Sequence, residues 1–341
     1  MVAVMVRRGR AQGKVRPFDP ARDLKQVAAV IAAAFGDRLG PDGQIALAEM
    51  HRVARWSPLL WWLYWPGIVR TGIPSGFVWV EQGRVTGNIS LRRSLGRGGF
   101  FIGNVAVHPE RQGRGIAGAL VDTALDAIAA QGGHWVGLEV QVDNHVARHL
   151  YEHRGFRAVG RTCHMLRPAG LPWAETPSLY HLLRRGRGTD TAAVVRLLHA
   201  TVSESQRQML ELRREDYSPG WEHALAHWLT GRHETWWMCE EGGEISGAVR
   251  TLRELKRRPA RLEVLVKPES SGRLETVLLQ HGLSSLRGAS KRMICTVFPY
   301  PNEALMAALE AAGFEKLRVL VQMRLGLSPR IAVKGREWRG Q

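Results

Sequence analysis

The sequence predicts an α/β (α+β) protein built from two tandem units of one plan. Three observations carry this. Strand-period and helix-period segments alternate along the chain. Their order starts again after residues 168–177 (PAGLPWAETP), a stretch of proline and small residues that reads as a linker. Short motifs also recur at a nearly constant offset. Val107-His108-Pro109-Glu110 returns as Val266-Lys267-Pro268-Glu269, and Asn144, Ala147 and Gly155-Phe156 return as Asn302, Leu305 and Gly313-Phe314. Two anchors of one type at one spacing mark a duplication rather than two unrelated units with similar turns.

In the first unit a short strand at 14–16 leads into Pro17, and a helix follows over 20–35 with Asp19 in position to cap it. A second helical stretch is expected over 43–64. Strands 77–81 and 84–92 are joined by Gln82-Gly83 as a hairpin turn. Strand 100–107 ends before Pro109, a long helix runs over 115–130, and strand 134–140 precedes a helix over 144–154. Gly155 stands where a helix C-terminus favours glycine. Two last strands are expected at 157–160 and 162–167. The second unit reads as strand 179–183, a helix from 191, strands 235–239 and 244–250, strand 262–266, a helix from 273, strand 292–297 and a helix over 302–312. The domains are therefore taken as 14–168 and 178–327, with 169–177 between them.

Composition narrows the function classes. The 341 residues are 45% hydrophobic and 23% charged, the balance of a globular protein of about two domains. Three cysteines, Cys163, Cys239 and Cys295, are too few and too far apart for a disulfide framework or a zinc knuckle. No metal site is expected, and a reducing compartment is. The net charge of +17 invites a nucleic-acid reading. Only seven residues are lysine, however, and the arginines are scattered rather than gathered, so nucleic acid is not the expected main partner. The longest apolar run, 59–69 (LLWWLYWPGIV), is short of the roughly 20 residues a membrane span needs and is broken by Pro66-Gly67. No secretory leader is visible at the N-terminus. The expectation is a cytoplasmic protein without a membrane partner, its oligomeric state open.

The strongest local motif is Gln112-Gly113-Arg114-Gly115-Ile116-Ala117, between the strand ending at Val107 and the long helix. A glycine turn there exposes backbone N–H groups at a helix N-terminus, a site for a pyrophosphate. Glycine lets the backbone approach an anion where a Cβ would stand in the way. Arg111 and Arg114 could add positive charge. The turn lacks the Lys-Ser/Thr pair of a Walker loop and is not a full dinucleotide fingerprint. Further on, Leu138-Glu139-Val140 is followed by Asn144, Ala147, Leu150-Tyr151 and Gly155-Phe156.

Turn and helix together closely resemble the GCN5-related N-acetyltransferases (GNAT). The turn fits that family's Gln/Arg-x-x-Gly-x-Gly/Ala pattern, and the second run fits its Asn-x-x-Ala-x-x-Leu-Tyr-x-x-x-Gly-Phe helix. The resemblance covers about 15–167 well and the second unit in outline. It implies two tandem GNAT-like units, each a mixed, mostly antiparallel central sheet with helices on both faces. It also implies acetyl-CoA as donor and an amine as acceptor, on a small molecule or a protein N-terminus. The backbone of Val105, Ala106 and Val107, at a splay in the sheet, would bind the pantetheine and acetyl groups. Gln112, Gly113, Arg114, Gly115, Ile116, Ala117 and Gly118 would hold the pyrophosphate, and Asn144 would bond the pantetheine arm. Tyr151 would stand near the thioester sulfur. The Leu-Glu-Val-x-x-x-Asn spacing resembles the branch that acetylates protein N-termini, in which the matching glutamate, here Glu139, acts as general base.

Amide formation from a thioester needs a neutral amine, stabilisation of the developing oxyanion and a proton for the departing thiolate. A tyrosine hydroxyl, protonated at neutral pH, can serve the leaving group. Tyr151 is also acceptable as a packing residue, and Glu139 as a strand-edge charge. The aromatic cluster Trp56, Trp61, Trp62, Tyr64 and Trp65 could line an acceptor site or serve as core. His145, His149 and His153 recur every four residues, but on a helical wheel they lie opposite Ala147, Leu150 and Tyr151 and point outward. In the second unit Ser271, Leu274 and Thr276 replace Gln112, Gly115 and Ala117, and Leu309 replaces Tyr151. That unit reads as a degenerate copy. The leading expectation is an acetyl-CoA-dependent N-acetyltransferase. The alternative is a non-catalytic acyl-CoA-binding or regulatory protein.

Overall fold

The computed structural model describes residues 13–36, 43–44, 47–48, 50, 75–96, 98–172, 183–212, 214–217, 219, 232–254, 258–287 and 292–327. Most of the expected helix over 43–64, the aromatic cluster and most of the 169–177 linker lie outside the described residues. By compactness the chain divides into two units. The first comprises Met1–Leu138, His149–Arg157 and Arg324–Gln341, and the second Glu139–Arg148 and Ala158–Met323.

The first unit begins with β1 (Lys14–Pro17) and α1 (Pro20–Phe35). The Asp19 side chain accepts a hydrogen bond from Ala21 N at 2.9 Å, and Pro20 opens the helix where no intrahelical N–H is needed. Asp23, fully buried, is held by the Arg16 guanidinium at 2.5 and 2.7 Å and by the Asp19 amide, which ties helix to strand. β2 (Gly76–Glu81) and β3 (Arg84–Arg93) form the expected hairpin. Its turn residues Gln82 and Gly83 both have positive φ, the backbone that matches the twist of the flanking strands.

β3 pairs with β4 (Gly99–Val107), which runs parallel to β5 (Trp135–Gln141). The order is β1-β2-β3-β4-β5. Val27, Val30 and Ile31 of α1 pack on Val78, Val80, Val85 and Ala106. On the opposite face lies α2 (Ile116–Ala130), whose Ile116 and Leu120 sit so close to Gly87 that a Cβ there would meet them at 2.9 and 3.1 Å. α3 (His145–Glu152) follows β5, and Gly155, with φ 85°, lets the chain turn out of it.

The second unit holds β6 (Arg157–Arg167), one continuous strand where two short ones were expected. Gly160 does not break it; instead the missing side chain makes room for Gln206, whose amide donates to Arg161 O at 3.1 Å. Then come β7 (Leu183–Arg185), α4 (Thr191–Thr201), α5 (Glu204–Leu210), β8 (Arg232–Glu241), β9 (Glu244–Glu254), β10 (Ala260–Val266), α6 (Glu275–Ser285), β11 (Ile294–Pro299), α7 (Glu303–Ala311) and β12 (Glu315–Gly326). The strand order is β12-β6-β11-β10-β9-β8-β7. Leu278, Leu279, Leu283, Leu305 and Leu309 from α6 and α7 bury one face, with Phe298 and Phe314. Val194, Leu197 and Leu198 of α4 bury the other against Trp236, Met238, Ala248 and Leu265. The fold is thus α/β, with mostly antiparallel sheets and helices on both faces.

Compactness does not follow the repeats. β6 closes the first repeat in sequence, yet it pairs antiparallel with β11, from Ile294↔Arg167 to Pro299↔Thr162. β12 closes the second repeat, yet its Val319 carbonyl accepts from Val142 N, just past β5, at 3.0 Å. Near the chain's end, Leu327 N donates to His134 O at 2.8 Å.

Candidate active site

β4 is shaped for more than pairing. Asn88↔Ala106 and Ser90↔Gly103 are partners, so Ile89 alone faces both Asn104 and Val105, a bulge. Asn104 takes φ 48°, and its carbonyl is held by Asn88 Nδ2 at 3.0 Å; Asn88 is itself buried. On its other side β4 is laddered to β5 only over Gly99–Phe101 against Trp135–Gly137. β4 then continues through Gly103, Asn104, Val105, Ala106 and Val107 beyond that ladder. Ala106 and Val107 are buried and Val105 is half-buried. The short ladder falls where the family resemblance implied a splay, whereas the bulge was not visible in the sequence, since it depends on which residues stand opposite.

After β4 the chain makes a single 3-10 turn, Pro109–Arg111. Gln112 Nε2 reaches back to Val107 O at 3.1 Å and closes the loop. Gly113 and Gly115 take φ 74° and 84°, left-handed backbone that L side chains disfavour. A Cβ on Gly115 would meet nothing within 4 Å, so it is the backbone conformation and the open space before it that call for glycine. Gly115 caps α2, and the first helical bond runs from Ala119 N to Gly115 O. The amides of Ile116, Ala117 and Gly118 therefore precede the intrahelical ladder, at the positive end of a 15-residue helix. Arg111 is paired with Glu81 at 3.4 Å, which leaves Arg114, exposed, as the turn's outward cation.

Gly118 has a different task. A Cβ there would lie 2.7 Å from an Arg154 nitrogen. The Arg154 guanidinium grips Asp122 of α2 at 2.6 and 2.9 Å and the Leu150 carbonyl of α3 at 3.0 Å. This clamp between the two helices went unread in the sequence. An arginine immediately before Gly155-Phe156 and an aspartate on α2 gave no signal of partnership.

Tyr151 is buried, its ring edge-on to Phe156 at 5.8 Å. Its backbone carbonyl receives Arg154 N and Phe156 N at 2.9 and 3.2 Å. Burial pushes the phenol up to about 12, with the Arg154 charge pulling the other way. The hydroxyl thus holds its proton throughout the physiological range. Among the described residues, none bonds that hydroxyl.

Glu139 and Asn144 belong to the second compact unit, the other expected site residues to the first. The Glu139 carboxylate is exposed and accepts Gln322 Nε2 at 3.1 Å. Asn144 caps α3, its Oδ1 accepting Ala147 N at 3.1 Å, so its amide NH2 remains to donate. His149 and His153 lie ring to ring at 3.8 Å, and no group of three or more potential ligands is found among the described residues.

The second repeat's turn is closed by its own chain. Glu275, the first residue of α6 and buried, accepts Ser271 Oγ and Gly272 N, both at 2.8 Å. A carboxylate therefore sits where a helix N-terminus would otherwise take an anionic ligand. Leu274 and Leu309 are buried beside it in the same core.

The first unit thus places a glycine turn, opening a helix, beside a bulged and partly unladdered strand. Residues 45–156, about a third of the chain, match the model of the acetyltransferase (GNAT) family. Two curated relatives match over short stretches. The mycothiol acetyltransferase of Beutenbergia cavernae is 49% identical over 55 residues, 16% of this chain and 18% of that protein. N-alpha-acetyltransferase 30 of Schizosaccharomyces pombe is 32% identical over 83 residues, 24% of this chain and 55% of that protein. The chain thus spans about half or less of each. Over nearly its whole length it shares a fold with the tandem GNAT protein from the clavulanic acid biosynthesis pathway, at 17% identity, TM-score 0.57, and 94% and 100% coverage. Among the described residues, no helix is long and apolar enough to cross a membrane.

Proposed function

We propose that the chain is an acetyl-CoA-dependent N-acetyltransferase that moves an acetyl group to a primary amine by direct attack on the thioester. The observation that carries the reading is the first turn, where two left-handed glycines open onto free amides at the start of α2. The residues fit the donor. Gly113 to Gly118 would cradle its pyrophosphate, the bulged backbone of Val105 to Val107 its pantetheine end, and the Asn144 amide its arm. Acetyl-CoA supplies an activated acyl group, and the chain supplies placement and protons. Glu139 takes a proton from the amine, directly or through water. Tyr151 gives its proton to the thiolate that leaves. The acceptor is a protein N-terminus or a small-molecule amine; the relatives above are named a mycothiol acetyltransferase and an N-alpha-acetyltransferase.

Residues 14–168 form the catalytic repeat in this reading, and 178–327 a degenerate copy whose anion site Glu275 fills. A cytoplasmic location accords with three cysteines too few and too far apart for a disulfide framework. The test is release of free CoA from acetyl-CoA with a panel of primary amines, including peptides beginning in alanine, glycine or methionine. Amine-dependent release supports an enzyme. Tight CoA binding without release by any amine would support a regulatory acyl-CoA-binding protein instead.

A further inference from the structure

We propose that Gln322, on the last strand of the second repeat, is a positioning residue for Glu139. This rests on the reading of Glu139 as proton acceptor. Gln322 has no exposed surface, and its Nε2 donates to Glu139 Oε1 at 3.1 Å. An ionised carboxylate offers only acceptors, so the amide nitrogen has to be the atom that faces it, which fixes the orientation of the side chain. The backbone bond from Val142 N to Val319 O, three residues along each strand, sets the register that brings the pair together.

The other end of the amide carries the inference further. Gln322 Oε1 is buried and has no partner among the described residues. Buried polar atoms are nearly always satisfied. A glutamine serving only to join two strands would be bonded at both ends. Here one end is fixed on the carboxylate and the other is enclosed with no partner among the described residues, so the side chain is held for the carboxylate. Gln322 neither gains nor loses a proton in the step. The proton passes from the amine nitrogen to Glu139, and Gln322 holds the carboxylate in place. In this way the degenerate repeat contributes to the chemistry of the intact one, through a residue 183 positions away.

The experiment uses the full chain, acetyl-CoA and an amine that releases CoA in the panel. Gln322→Met keeps length and removes the donor. It is compared in the wild-type and Glu139→Gln backgrounds. The expected result is a kcat lowered about ten- to a hundredfold, the scale of a hydrogen bond to a charged group, with KM for acetyl-CoA unchanged and no further loss in the Glu139→Gln background. The same fold loss in both backgrounds, or no loss, would overturn the proposal. Should Gln322→Met fail to fold, Gln322→Glu takes its place. It sets two carboxylates together in the wild type, and with Glu139→Gln it restores a carboxylate–amide pair of the same shape. It should lower kcat alone and cost nothing further with Glu139→Gln. Loss of fold in both variants would make the role structural and end the proposal. Near-normal turnover of Glu139→Gln alone, or no active amine at all, would instead defeat the underlying reading.

Discussion

Tyr151 combines two properties that rarely meet by accident in a packing residue. It is buried deeply enough to push its phenol up to about 12, yet no described neighbour bonds its hydroxyl. Tyr151→Phe keeps the ring against Phe156 and removes the proton. Turnover should fall by about 10²- to 10⁴-fold, the usual worth of a positioned acid, while calorimetry finds acetyl-CoA affinity little changed. Loss of binding and fold together would mean that Tyr151 only packs. The raised pKa has a sign that can be tested. Below pH 10 the phenol is neutral whether folded or unfolded. Above it the unfolded chain ionises first, so stability is lost as pH rises from about 10 towards 12. In an alkaline denaturation series Tyr151→Phe should lose less stability over that interval than the wild type. His164 has the opposite sign. Burial lowers it to about 4, so the folded chain resists protonation and stability is lost as pH falls from about 6.5 to 4.

At the scale of elements, the β3–β4 bulge is the feature on which the site most depends. Asn88 holds the Asn104 carbonyl and with it the path of Val105 to Val107. Asn88→Ala should cost roughly 1–2 kcal/mol of stability, the worth of one buried hydrogen bond left unmade, and should weaken acetyl-CoA binding as well. Chemical denaturation beside a binding titration would check both, and lost stability with full affinity would separate the bulge from the donor site. Much at this scale was legible beforehand. Asp19-Pro20, Gln82-Gly83 and Gly155 each specify their geometry through their own backbone preferences. So did the turn from Gln112 to Gly115, because left-handed backbone demands glycine. The bulge was not legible, since Asn88 and Asn104 lie on different strands and act only once paired. β12 carries alternating apolar residues, Leu317, Val319, Val321 and Met323, a strand signal that Leu320 interrupts. The continuity of β6 likewise depends on its partner β11 rather than on its own residues.

For the whole molecule, sequence repeat and compact unit are different divisions. The boundary expected near 177 would separate β6 from β11 and β12 from β5, although backbone bonds join them. Fragments 1–177 and 178–341 made separately should each be poorly folded, and co-expression should recover acetyl-CoA binding. Independent folding of both would contradict the strand pairing. The duplication was visible in motif spacing, but pairing between strands so distant in sequence is set by the tertiary fold and leaves no local mark. Gln322 shows the same limit, because nothing near it in sequence points to Glu139.

The central claim is that one acetyl-CoA binds each chain, at the turn from Gly113 to Gly118. Calorimetric titration of the full chain with acetyl-CoA, for the wild type and Gly115→Leu, tests it most directly. A leucine side chain would meet no protein atom, but φ 84° strains any L residue there, so Gly115→Ala, equally strained and smaller, is titrated beside it as the reference. The account predicts one equivalent for the wild type, and for Gly115→Leu a loss of about 2 kcal/mol or more in binding, the scale of one or two charge-assisted hydrogen bonds. Unchanged affinity in Gly115→Leu, or a second equivalent bound at the turn that Glu275 closes, would contradict it.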